Sequence, residues 1–122
     1  MSDKINEGEE ILDFLFGAEA ATGLYQFLEK SKKGFGEYLL YSCGEFYSDP
    51  TLNLKTKQLI VITALITQKG AFPQLKNHLM GCKHAGLSKE EVVASIIHLT
   101  MYIGFPTVVN ALEVVDEVFA KA

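Results

Sequence analysis

The chain has 122 residues, a formal charge of −4 and 48% hydrophobic residues. That length suits one domain spanning 1–122, and the apolar share excludes a disordered tail. An acidic balance with no basic stripe opposes phosphate backbones, so no nucleic-acid partner is expected.

The first predicted helix covers 7–16, with Ile11, Phe14 and Leu15 at helical spacing behind Glu7, Glu9 and Glu10. Acids in a first turn suit the positive end of the helix dipole. Gly17 ends it, and 18–30 repeats the pattern through Leu24, Phe27 and Leu28 before the lysine cluster Lys30, Lys32 and Lys33. A solvated C-terminal turn accounts for that cluster. The segment 35–47 is a third helix rich in aromatics, Phe35, Tyr38, Tyr41, Phe46 and Tyr47, which helices usually place in a core. Ser48-Asp49-Pro50 then turns the chain, and Asn53 suits the N-cap of the next helix.

The stretch 55–106 holds three helical segments and all three histidines. Its first segment centres on Leu59-Ile60-Val61-Ile62-Thr63-Ala64-Leu65-Ile66. The β-branched residues hint at a strand, but the flanks extend it past ordinary strand length, so a helix is expected. After Lys69-Gly70, Pro73 opens a helix with the apolar stripe Leu75, Leu79 and Cys82, and Gly86 suits a left-handed end. Ser88 and Glu91 form a capping box. The helix they open runs through Val92, Val93, Ile96, Ile97, Leu99, Met101, Tyr102 and Ile103, apolar on nearly every face. Gly104 interrupts, Pro106 restarts, and Val108, Leu112, Val115 and Phe119 line the last helix. The fold expected is all-α, with no linker or repeat. Two helices without a polar face exceed what a small monomer covers, so a homo-oligomer joined through helices is expected.

Every one of the 11 basic residues is lysine, which removes the bidentate grip that arginine offers a carboxylate. The acidic N-terminus does not read as a signal peptide, and no apolar run approaches the ~18 residues of a membrane span, so no membrane partner is expected. Cys43 and Cys82 show no CxxC spacing, which suits reduced thiols and a cytoplasmic protein.

His78 lies at the edge of its amphipathic helix, one residue before Leu79, and histidine suits proton transfer near neutrality. It is the first candidate for a catalytic residue; the competing reading is a half-buried ring bonded to backbone. His98 is the second candidate, and on an apolar helix its ring needs a partner to offset desolvation. His84, near a helix C-terminus, complements the dipole. His78 and Cys82 stand at i, i+4, but no third ligand has a diagnostic spacing, so no metal site is expected.

The motifs resemble the carboxymuconolactone decarboxylase family over nearly the whole chain. Gly44-Glu45-Phe46-Tyr47-Ser48 before Pro50 is similar to its glycine–acid–x–aromatic turn. LNLKTKQLIVITALI resembles its basic-flanked apolar helix, QLKNHL its histidine helix, and YIGFP with Asn110-Ala111 its final turn. The resemblance implies an alkylhydroperoxidase D-like all-α bundle of about six or seven helices, assembling as dimers and rings of six. The peroxide-reducing branch carries a CxxC, three residues and a histidine. That histidine falls on His78, but the cysteines fall on Ala71 and Gln74, so the dithiol is absent. In the decarboxylase branch the chemistry is loss of carbon dioxide without a cofactor, and by similarity His78 is the general acid/base. His98 or Tyr102 would orient it or the substrate, and Lys57 or Lys76 would attract a carboxylate. Gln58 and Gln74 complete the expected substrate-binding set. Lys57, Gln58, Gln74 and Met80 stand where that branch often has arginine or glutamate, and His98 where glutamine is common. The substrate implied is a small carboxylated or lactone-like molecule. Two alternatives stand beside it: a peroxiredoxin-like relative using Cys82 as a single thiol, and a non-catalytic oligomeric binding module.

Overall fold

The structure is a computed structural model and describes residues 2–120, all of whose regular elements are helical. The chain divides into two compact units, Met1–Asn53 and Leu54–Ala122.

The first unit is built from α1 (Ser2–Phe16), α2 (Ala18–Ser31) and α3 (Phe35–Tyr47). Helix α1 begins five residues earlier than the expected 7–16, and its first-turn acid is Asp3. Glu7, Glu9 and Glu10 therefore lie mid-helix, and the dipole argument for them fails because the dipole acts only over the first turn. The closest packing is between α1 and α3, where glycines replace side chains. A Cβ on Gly8 would collide with the Leu40 carbonyl oxygen, and one on Gly44 with that of Lys4. That approach fixes which face of α3 is inside. Gly36, Leu40 and Gly44 are buried, while Tyr38 (65%) and Phe46 (72%) are exposed. The aromatics expected in the core mostly line the outer face, since helices packed this closely leave no room for rings between them. Leu12, Ala21 and Leu40 make the small core, with Ile5, Phe16, Tyr25, Leu39 and Cys43 against it.

Helix α3 starts without a side-chain cap from its own N-cap, Gly34, which is left-handed at φ 91°. Glu29 of α2 supplies the missing acceptor. Its two carboxylate oxygens take the backbone N–H groups of Gly34 and Glu37, each at 3.1 Å. Those bonds hold the Glu29 carboxyl below the usual carboxylate range.

The second unit contains α4 (Leu54–Thr67), α5 (Phe72–His84), α6 (Lys89–His98), the single turn α7 (Thr100–Ile103) and α8 (Phe105–Phe119). The apolar segment of α4 is helical as read, and its buried face is Gln58, Ile62 and Ile66, four residues apart. Helix α8 turns Val108, Ala111, Val115 and Val118 inward and packs against α4, α5, α6 and α7. Leu112 and Phe119, expected on its inner face, are half-buried beside that stripe.

Helix α5 ends in a Schellman motif. Leu87 N–H donates to Cys82 O at 3.0 Å and Gly86 N–H to Lys83 O at 3.1 Å, with Gly86 at φ 96°. Leu87 and Cys82 are both buried in the same cluster, which supplies the apolar contact that accompanies the motif. Both halves of the capping box form, Ser88 Oγ accepting from Glu91 N and Glu91 Oε1 from Ser88 N. The apolar run that follows is not one helix. It stops at His98, makes one more turn, and passes through Gly104 at φ 88° into α8. Among the described residues no helix is long and apolar enough to cross a membrane.

Candidate active site

Helix α5 carries the candidate base. Leu75, Leu79 and Cys82 are fully enclosed, and His78, one turn from both Leu75 and Cys82, is half-buried at the edge of that stripe. The apolar surroundings disfavour a charged ring, and burial lowers the His78 pKa from 6.5 to about 4. At neutral pH burial therefore favours the uncharged imidazole, a weaker base than a solvated ring. Its Nδ1 is a buried atom, as is Oε1 of Gln58 on α4. Gln58 is the one fully buried polar side chain among the described residues.

The other expected site residues separate into distinct settings. Lys57 is half-buried on α4, and Gln74 is exposed one turn before His78, on the same side of α5. Lys76 is exposed and gives its ammonium to Glu117 of α8 at 2.8 Å, so its charge is already partly balanced. His84 closes α5, where its position complements the dipole as read.

His98 departs from the sequence reading. It is the last residue of α6 and is exposed, so it is no buried polar group in need of compensation. Its ring lies 6.0 Å from that of Tyr102, tilted at 58°. It also lines an open groove of about 630 Å³ between α4 and α6, with Leu59, Ile60, Ala94 and Leu99. Two hydroxyls beside that groove are turned to their own helices, Thr63 Oγ1 donating to Leu59 O and Ser95 Oγ to Glu91 O. The groove is left largely apolar. His78 is not among its lining residues, so that groove does not join the two histidines.

The thiols are poor nucleophiles. Cys82 is fully enclosed and burial pushes its pKa up to about 12, and the same cause takes Cys43 to about 11. Reactive cysteines show the opposite shift.

The chain is all-helical, with a half-buried histidine on the amphipathic helix α5, and comparison with known proteins places it in a family. Residues 35–117 match the carboxymuconolactone decarboxylase family, and the chain belongs to that family. It is 26% identical over 117 residues to 4-carboxymuconolactone decarboxylase of Acinetobacter baylyi, covering 95% of this chain and 87% of that one. It is also 34% identical over 80 residues to an uncharacterized 15.0 kDa protein of Paracoccus denitrificans from the nqo9-nqo10 intergenic region. That match takes in 64% of this chain and 59% of the relative.

Proposed function

We propose that the protein is a cofactor-free, decarboxylase-type lyase acting on a small carboxylated or lactone-like molecule, with His78 as general acid/base. The observation that carries this reading is the half-buried place of His78 on α5, where burial disfavours the charged ring, in a chain of this family. In such a reaction the bond to the carboxylate carbon breaks, carbon dioxide leaves, and the electron pair left behind takes up a proton. An imidazole that starts neutral must first collect the proton it delivers. A substrate carboxylate beside the ring favours that uptake, because an opposite charge offsets desolvation. Proton delivery is thereby tied to occupancy of the site.

Gln58, Gln74 and Lys57 are the proposed substrate-binding residues on α4 and α5. Lys76 is a weaker candidate because Glu117 shares its charge. His98 and Tyr102 belong to the exposed apolar surface with Ile60, Ile97, Met101 and Phe105. That surface supports association of identical copies, which would cover it and bring His98 and Tyr102 to a subunit boundary. The family match crosses Asn53, which supports reading 1–122 as one domain, and two free thiols support a cytoplasmic location. No observation favours a redox role for Cys82.

The test is turnover of 4-carboxymuconolactone, the compound in the name of the Acinetobacter relative, followed by carbon dioxide release. Wild-type protein should turn it over, and His78→Ala should lose about 10²-fold or more in kcat while staying folded. Unchanged turnover in that variant removes His78 from the mechanism, and an inactive wild type removes this substrate.

A further inference from the structure

From Val92 to Leu112 the chain contains no lysine, aspartate or glutamate, and its titratable side chains there are His98 and Tyr102. Leu99 and Ile103 turn inward onto the core of the second unit. Gly104 at φ 88° then makes a sharp corner that a residue with a Cβ would not readily form. Met101 (77% exposed), Tyr102 (69%) and Phe105 (72%) stand out from that corner into water. Beside it lies the groove between α4 and α6, whose lining also holds no lysine, aspartate or glutamate. Corner and groove adjoin, because His98 lines the groove and its ring stands 6.0 Å from that of Tyr102. Monomeric proteins seldom leave so continuous an apolar patch in water.

We propose that groove and corner are the two halves of one self-complementary face: Met101 and Phe105 of a second copy enter the groove, the same pair enters the second copy's groove in return, and both His98 rings are enclosed. This deepens the proposed association of identical copies and is independent of the chemistry proposed for His78. Three features select a second copy over a foreign partner. A two-fold pairing needs a protruding and a receding element side by side, so that each copy offers both at once; set on opposite sides of the molecule, they would build an open chain. Ile60, Ile97, Met101, Tyr102 and Phe105 together expose an area comparable to the ~800 Å² that each partner gives to a standard interface. Two copies that each carry −4 repel, and they meet at least cost on a face without fixed charge. The hydroxyls in the groove do not oppose burial, because Thr63 and Ser95 already donate to the Leu59 and Glu91 carbonyls. His98 is the group that does. On α4 the groove is lined by Thr56, Leu59, Ile60 and Thr63, and α7 and α8 carry no acid before Glu113. Glu91, two turns earlier on α6, is bonded to Ser88. With no carboxylate to offset a charged ring, enclosure requires neutral imidazole, and acid separates the copies.

The test is sedimentation of the full chain over a dilution series at pH 7.5 and 5.5, with circular dichroism to confirm that each variant is folded. At pH 7.5 the wild type should sediment as a dimer or a multiple of two. Met101→Glu and Ile60→Glu, both at exposed positions, should each raise the dissociation constant at least about tenfold. At pH 5.5 the wild type should come apart while His98→Phe stays associated. When Ile60→Cys protein is mixed with Met101→Cys protein, a short bismaleimide should join the two kinds of chain, and wild type treated alike should stay unjoined. His78→Ala should associate as the wild type does, so loss of turnover and loss of assembly are read separately. A monomer or an odd-numbered ring at pH 7.5, glutamate variants that associate like wild type, a His98→Phe protein that separates in acid, or no joined product overturns the proposal. The cross-link decides the question even if a glutamate variant does not fold.

Discussion

Lowering the pH from 7 to 5.5 is expected to destabilise the protein by about 1 kcal/mol through His78 alone. Burial holds the folded pKa at about 4 against an ordinary 6.5, so the unfolded chain binds the proton first. The stabilisation from keeping this ring neutral is present in full above pH ~6.5 and is lost as the pH falls toward ~4. At about 1.4 kcal/mol per pH unit the whole loss is on the order of 3 kcal/mol, a ceiling because the half-buried ring keeps some contact with water. Glu29 and Glu91, both lowered by hydrogen bonds from backbone N–H groups, act in the same direction at lower pH. Their stabilisation persists above the ordinary carboxylate pKa and goes only as the pH falls through their lowered values, so these two carboxylates contribute little between pH 7 and 5.5. The assay is urea unfolding followed by circular dichroism at pH 7, 6 and 5.5, at one protein concentration, for wild type and His78→Gln. The wild type should lose stability across this interval more steeply than the variant. Equal slopes, or a wild type that gains stability on acidification, refute the reasoning.

Two glycines should respond oppositely to alanine in thermal melts. Gly23→Ala, mid-helix with open space around its Cβ position, should stabilise by about 0.5–1 kcal/mol. Gly44→Ala meets the Lys4 carbonyl oxygen and should cost about 3 kcal/mol or more, since backbone rather than a flexible side chain must give way. Ser88→Ala removes the acceptor for Glu91 N–H and should cost about 1 kcal/mol in the same assay. Cys82 should resist iodoacetamide at pH 8 in the native state and react once urea unfolds the chain; rapid native alkylation would contradict its enclosure.

Local rules were legible wherever the determining groups lie within a few residues of each other. The Ser88–Glu91 box, Gly86 after α5, and helices over 18–30 and 35–47 follow from capping, left-handed glycine and spacing, and all appear within a residue of where they were read. The place of His78 beside Leu79 on an amphipathic turn is a local fact of the same kind. What escaped the sequence depends on neighbours far along the chain. The aromatics of α3 face outward because Gly8 and Gly44 bring α1 and α3 into backbone contact, which no periodicity in 35–47 encodes. His98 is exposed at the end of α6, and Glu29 caps a helix that begins several residues later. The amino-acid order alone determined helix type and the locally capped ends, the Ser88 start of α6 and the Gly86 end of α5. Only the tertiary structure decided which faces are buried, and with them the depressed pKa of His78, the inert thiol of Cys82 and the apolar face around His98. Burial and desolvation are set by what packs against a side chain, and that is known only once the helices have met.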